Sequence, residues 1–248
     1  TDFQDAAYAE TYLAHLRRVA GHPAATPDLL AALARNMALR MSYEDTHRVA
    51  QLKLRAARLA RVRAEAKARD GDIVDVAEYM KPGPEEIFGM LPARLGARLV
   101  ALSERRGWTG LSLPMQVRTT RFGGFIRLKI LAGARRWRPR SLRHAQEMAW
   151  LDRWLTLVET ALDTAPDAGV GIVETAQLVR GYGATYRRGM RNWTLIADEV
   201  IAPCLDGRLP AGMLADAVTQ ARLAAVKDPE GTALDRMVAS FRSVAAEA

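Results

Sequence analysis

Four histidines, one cysteine and 28 carboxylates are what this chain offers to catalysis, and their spacing brings few of them together. His144 and Glu147 stand three residues apart, which puts two possible ligands on one helical face. A stable metal site needs three or four protein groups, and His15, His22 and His47 are scattered, so no metal site is expected. Cys204 alone excludes an internal disulfide, a four-thiolate cluster or a multi-thiolate zinc site. Gly169-Val170-Gly171 lacks the third glycine and the preceding strand of a dinucleotide loop, and no GxxxxGK(S/T) occurs. Ser103, Ser112, Ser141 and Ser240 lie outside any nucleophile elbow. The pairs Glu44/Asp45, Glu85/Glu86 and Asp198/Glu199 are adjacent in sequence, and adjacent side chains on a helix diverge. No residue is therefore assigned a catalytic role.

Anion binding has more material. Val179 to Gly189 holds three glycines, two tyrosines and three arginines. Glycines ahead of a helix N-terminus free backbone amides, and guanidinium forks suit phosphate or carboxylate, which makes Arg180, Tyr182, Gly183, Arg187 and Arg188 a candidate anion site. The competing reading is a glycine-permitted kink whose arginines pair with neighbouring acids. Tyr79 to Ile87 is a second dense motif, with a structural Pro/Gly corner as its plain reading.

Charge is unevenly placed. The net +8 divides into 26 Lys/Arg against 14 Asp/Glu over residues 1–143, and 10 against 14 over 144–248. From Arg105 to Gln146 there is no acid but eleven cations, interleaved with Trp108, Phe122, Phe125 and Trp137. Such a face suits an anionic partner, either nucleic acid or an acidic protein, and no RNA- or DNA-binding signature accompanies it. Arg135, Arg136, Arg138 and Arg140 are its candidate docking residues.

The elements that must position these residues are helical. Hydrophobic residues make up 49% of the chain with Ala and Leu dominant, and aromatics only 6%. Apolar spacing predicts helices over Phe3–Val19, Pro27–Met41 behind the cap Thr26, and Ser42 to Arg69 with Val49, Leu52, Ala56, Leu59, Val62 and Ala66 as its buried stripe. Further helices are predicted from Glu85, from Pro92 to Arg106, from Gly123-Gly124 to Arg136, and from Ser141 to Leu162 with Trp150 and Trp154 one turn apart. Ile172–Val179, Thr185–Ile201, Ala211–Val226 and Thr232–Ala246 complete the set. Ile73–Tyr79 and Met115–Thr120 alternate loosely and are predicted to pair. The expectation is a mainly α, multi-helix globular domain of about ten helices with at most a minor two-stranded β element. It divides into a basic part, 1–164, and an acidic part, 165–248, packed as one unit. No run of 18 uncharged apolar residues occurs and the N-terminus carries no secretion signal, so neither a membrane span nor export is expected, and one cysteine suits a reducing cytoplasm. A start at Thr1 running almost at once into a helix suggests a piece of a longer polypeptide.

Six motifs occur in a telling order: Tyr8-Ala9 with Tyr12; Met41-Ser42-Tyr43-Glu44-Asp45 with Val49-Ala50; Tyr79-Met80-Lys81-Pro82-Gly83; Leu91-Pro92; Arg138-Pro139-Arg140-Ser141; and Arg180 through Gly189. In that order they resemble the C-terminal helical domain of the indolepyruvate:ferredoxin oxidoreductase family, fused in bacterial members behind catalytic 2-oxoacid oxidoreductase domains. The resemblance implies a homodimeric parent that oxidatively decarboxylates arylpyruvates with thiamine diphosphate and Mg, passing electrons through 4Fe–4S clusters to ferredoxin and forming an aryl-acetyl-CoA. This chain departs from the whole enzyme. It has no cysteine cluster, and Asp70-Gly71-Asp72 is followed by no matching asparagine pair, so no cofactor is expected in it. What is implied is a non-catalytic or site-completing domain that packs on the catalytic domains or subunits, offering Arg180, Arg187 and Arg188 to CoA phosphates or its acid-free stretch to acidic ferredoxin. A freestanding basic module for nucleic acid or another anion, and a pure interaction scaffold, are the alternatives; a membrane is not an expected partner and nucleic acid is a disfavoured one.

Overall fold

The computed structural model describes residues 1–247, folded mainly as α-helix with one small two-stranded antiparallel sheet. Packing divides the chain elsewhere than its charge does. A terminal unit is built from Asp5–Ser42 together with Ala149 onward, and a central unit from Tyr43–Met148 with Asp2–Gln4. The expected boundary at 164/165 falls inside the first of these.

The chain opens with α1 (Ala6–Ala20) and α2 (Pro27–Met41). Asp5 caps the first, accepting from the Tyr8 N–H at 2.9 Å, and Thr26 caps the second as its sequence predicts. Two tyrosines pin α1 to α2: Tyr8 donates to the Met41 carbonyl and Tyr12 to that of Ala34, each at 3.0 Å.

In the central unit Asp45 caps α3 (Thr46–Lys53), accepting from the Arg48 N–H at 2.7 Å. The long helix expected to reach Arg69 is divided here. The chain is extended at Arg55 and restarts as α4 (Ala56–Glu65), which buries none of its residues. On α3 the buried positions are His47 and Ala50 instead of Val49 and Leu52, with His47 Nδ1 donating to the Leu131 carbonyl at 2.9 Å. No glycine or proline announces the break. Ion pairs from distant residues accompany it: Arg55 meets Asp2 at 2.5 Å, while Lys53, at 2.5 Å, and Arg58 converge on Glu78.

The predicted strand pair forms, its first strand lying at Ala77–Met80 and not from Ile73. β1 (Ala77–Met80) leads to α5 (Pro84–Gly89), where Glu86 accepts from the Gly83 N–H at 2.9 Å, then to α6 (Ala93–Arg105) and β2 (Met115–Arg118). The strands run antiparallel with Ala77 opposite Arg118 and Met80 opposite Met115. α7 (Phe122–Gly133) packs on α3 around Ala50, Val117 and Leu128.

Two adjacent glycines of α7 do different work. A Cβ on Gly124 would overlap the Arg118 carbonyl, whereas one on Gly123 would meet nothing within 4 Å. Gly124→Ala is expected to cost about 1–3 kcal/mol through overpacking, and Gly123→Ala to add about 0.5–1 kcal/mol by restricting the unfolded backbone. Melting temperatures moving in the same direction for both variants would contradict this assignment.

A 3-10 turn over Ala134–Arg140 containing Pro139 precedes α8 (Leu142–Thr164), capped by Ser141, whose Oγ accepts from the His144 N–H at 3.2 Å. The first residues of α8 belong to the central unit and the rest to the terminal unit. There follow α9 (Gly169–Glu174), α10 (Gly183–Ile196), α11 (Ala202–Leu205), α12 (Leu214–Lys227) and α13 (Thr232–Glu247). The helix predicted to run unbroken to Ile201 widens into a π turn over Ala197–Ile201. Pro203 lies just beyond it, lacking an N–H and pressing on the carbonyl four residues back, so the regular ladder cannot continue.

Three tryptophans centre the terminal unit. Trp150 stacks on Trp154 at 5.7 Å and leans on Trp193 at 5.0 Å, and Arg40 covers Trp150 at 4.6 Å while donating to the Val179 carbonyl at 2.6 Å. Trp154 Nε1 donates to the Ile172 carbonyl at 3.2 Å, and Trp193 Nε1 to the Thr175 hydroxyl at 3.1 Å. Among the described residues no helix is long and apolar enough to cross a membrane.

Candidate functional site

The docking residues suggested by sequence part company in the structure. Arg138 is fully buried. Its Nε and Nη2 fork onto the two Asp45 oxygens at 2.6 and 3.0 Å, its Nη1 donates to the Phe3 carbonyl at 2.7 Å and to Gln4 Oε1 at 2.8 Å, and its plane lies 3.9 Å from the Phe3 ring. An arginine placed like this organises the central unit and cannot meet a partner, so the expectation that it forms part of a docking face is corrected. Arg136 and Arg140 are exposed and Arg135 is half-buried.

Around Arg138 the resemblance motifs meet one another. Asp45 and Tyr43 come from the second motif, and Ser141 with Arg138 from the fifth. Tyr43 Oη lies 3.1 Å from His144 Nδ1, and its ring packs edge-on to Phe3 at 5.2 Å. The fourth motif joins through the Leu142 N–H, which donates to the Leu91 carbonyl at 2.9 Å. Glu147 is buried and pairs with Arg143 at 2.7 Å. Among the described residues no group of three or more His, Cys, Asp or Glu side chains is arranged to hold a metal. Cys204 is buried, and that burial, with Asp206 nearby, raises its thiol pKa. One thiol is too few for the four thiolates of an iron–sulfur cluster.

Burial, and after it the Arg138 guanidinium, holds His144 below the usual imidazole range, while Asp45 and Glu147 pull the other way. The unfolded chain then takes up a proton that the folded one refuses. Stability is full above the ordinary imidazole value and falls as pH drops below it. His15, lowered by burial as well, adds to the same trend. The urea midpoint is expected to drop between pH 7.5 and 5.5, and to drop less in His144→Gln; equal slopes for the two proteins would refute the assignment to His144.

The 180–189 segment lies in the terminal unit. Gly181 and Gly183 adopt positive φ, 76° and 50°, which side chains resist, and Gly183 opens α10 with no side-chain cap. Arg180, Tyr182 and Arg187 are exposed, but Arg188 pairs with Glu230 at 3.2 Å. Gly189 serves packing instead of a ligand, since a Cβ there would run into the Leu178 carbonyl. The structure thus gathers Tyr182 and Gly183 at a helix N-terminus and commits Arg188 to a protein carboxylate.

What remains exposed is the outer side of the acid-free stretch. Of its eleven cations, Arg118 and Arg121 meet Asp75, Arg138 meets Asp45 and Arg143 meets Glu147. The other seven make no ion pair among the described residues. Several lie over aromatic rings: Arg106 over Trp108 at 5.9 Å, Lys129 over Phe125 at 5.8 Å and Arg140 over Trp137 at 5.3 Å.

The family described as Family of unknown function (DUF6537) matches residues 1–199. The chain belongs to this family. Its match takes in the whole central unit and ends inside the π turn, leaving α11, α12 and α13 beyond it. No curated protein and no solved structure is significantly similar to the chain. The family's span therefore covers the Arg138 network, the exposed cations and the 180–189 segment together.

One feature of this site escaped the sequence reading. Phe122, Ile126 and Ile130 recur every four residues along α7, with Phe122 83% and Ile130 70% exposed and Ile126 half-buried between them. Periodicity alone says that such a stripe exists, not whether it faces the core.

Proposed function

We propose that this chain is a non-catalytic, or at most site-completing, helical domain of an arylpyruvate:ferredoxin oxidoreductase, cytoplasmic and part of a homodimeric parent. The observation that carries this reading is where its distinctive residues go. Tyr8, Tyr12, Tyr43, Asp45, Leu91, Arg138, Ser141 and Gly189 are all engaged in holding helices and turns against one another. Motifs that build a scaffold fit a domain whose chemistry is performed by its neighbours. The thiamine diphosphate, Mg and 4Fe–4S clusters of such an enzyme belong to those neighbours, and ferredoxin or CoA would be met at an edge of the domain.

The test is arylpyruvate-dependent reduction of a viologen dye by the natural full-length polypeptide, with and without residues 1–248. Activity that survives the deletion makes the domain accessory, and activity lost while cofactors stay bound makes it site-completing. No activity with either indolepyruvate or phenylpyruvate overturns the reading. A second reading, a freestanding anion-binding module, draws on the seven cations that make no ion pair among the described residues; it requires binding to duplex or single-stranded DNA at low salt that weakens steeply as salt rises.

A further inference from the structure

The two units differ in how far they have buried their apolar residues. Among the described residues, the central unit buries six apolar side chains (Phe3, Tyr43, Ala50, Val117, Leu128 and Leu142), whereas the terminal unit buries 32. Large apolar side chains left exposed show the reverse, 13 in the central unit and five in the terminal one. A unit of this length normally encloses more, and exposed apolar surface on this scale marks an interface.

The best-defined part of that surface is the outer side of α7, where Phe122, Ile126 and Ile130 form a stripe with Arg127 and Lys129 on its flanks. We infer that this side of α7 is a permanent docking surface for an acidic, apolar-centred face of the catalytic polypeptide. The inference rests on the function proposed above and names the partner surface.

Three observations select that occupant. Charge is the first. The central unit carries 22 Lys/Arg against 12 Asp/Glu, a net +10, and Arg127 and Lys129 have no acidic partner among the described residues. A second copy of the same face would repel it, and an acidic one would be drawn to it. Composition is the second. Ten of the eleven cations in the acid-free stretch are arginines, interleaved with Phe and Trp. Protein interfaces are enriched in Arg and aromatics and poor in Lys. The third is the aliphatic make-up of the stripe beyond Phe122, the half-buried Ile126 and the exposed Ile130, which neither phosphates nor stacked bases would cover, and the small central core, which suits a lasting interface more than a brief encounter.

The experiment compares the natural full-length polypeptide with the 248-residue chain. Hydroxyl-radical footprinting reads the exposure of Phe122, and carbodiimide cross-linking reads which carboxylates lie beside Lys129. The expected result is Phe122 oxidation several-fold lower in the full polypeptide, with Lys129 joined to an Asp or Glu outside residues 1–248. Ile130→Glu, at an exposed position, should leave the short chain folded and return Phe122 oxidation in the full polypeptide to the level of the short chain. Equal oxidation in both forms overturns the inference, as does Lys129 joined only to residues within 1–248. Protection seen only with phosphatidylglycerol vesicles, or only with duplex DNA, overturns it in favour of those partners. Viologen reduction in the same samples separates the two proposals. An active polypeptide with unprotected Phe122 overturns the docking surface alone; a protected one inactive on arylpyruvates supports the surface and overturns the enzyme.

Discussion

Arg138→Met is expected to destabilise the central unit by about 3–5 kcal/mol, the usual consequence of leaving one member of a buried ion pair without its partner. Asp45 would stay buried while losing both prongs of the guanidinium fork, and the Phe3 carbonyl and Gln4 amide would lose their donor. The aliphatic part of methionine keeps most of the volume, so a large loss reports the charge and the hydrogen bonds more than a cavity. Urea unfolding can be followed by tryptophan fluorescence, since Trp108 and Trp137 lie in the central unit and Trp150, Trp154 and Trp193 in the terminal one. An unchanged midpoint would show that the network is not structural. Asp45→Asn separates two roles of one side chain, because an amide oxygen can still cap α3 but cannot answer the guanidinium charge. Its loss should fall below that of Arg138→Met.

Gly189→Ala is expected to cost about 2–3 kcal/mol in the terminal unit. The obstacle is the Leu178 carbonyl with its own carbon and the Val179 Cα behind it, all backbone, which cannot swing aside as a side chain would. Gly212→Ala is the control, since nothing lies within 4 Å of a Cβ there. A Gly189→Ala variant that melts with the wild type would contradict a close approach of α10 to the preceding turn. The result also bears on how the 180–189 motif is read: a glycine kept for packing says nothing of a ligand, while Gly181 and Gly183 are kept for their backbone angles.

Much of this fold is legible in the sequence because its signals are local. Thr26 before Pro27, Ser141 before α8 and the paired tryptophans one turn apart each act within a few residues, and the structure follows them. The pairing of the two short strands was legible too, from alternation and flanking turns. What was not legible depends on residues distant in the chain. The break at Arg55 answers to Asp2 and Glu78, the burial of Arg138 answers to Asp45 and Phe3, and the exposure of Phe122 depends on which side of α7 faces α3. A run of arginines reads as surface on average, and only the third dimension shows which of them is enclosed. Of the candidate site, the acid-free stretch and its aromatics were legible and the apolar stripe among them was not.

The terminal unit is discontinuous, and that bears on how the chain comes to fold. Residues 5–42 are made early, yet α2 packs against α9, and the buried Leu29, Leu33 and Met37 belong to a unit completed only by residues beyond Ala149. At ordinary rates of synthesis the intervening 106 residues, Tyr43–Met148, occupy the ribosome for about 5–20 s. Through that interval the residues beyond Ala149 that complete the terminal unit have not been made, while the central segment comes to hold all its own residues and can close first. The expected order of assembly is therefore middle before ends, with α1 and α2 completing their packing only after the residues beyond Ala149 are made.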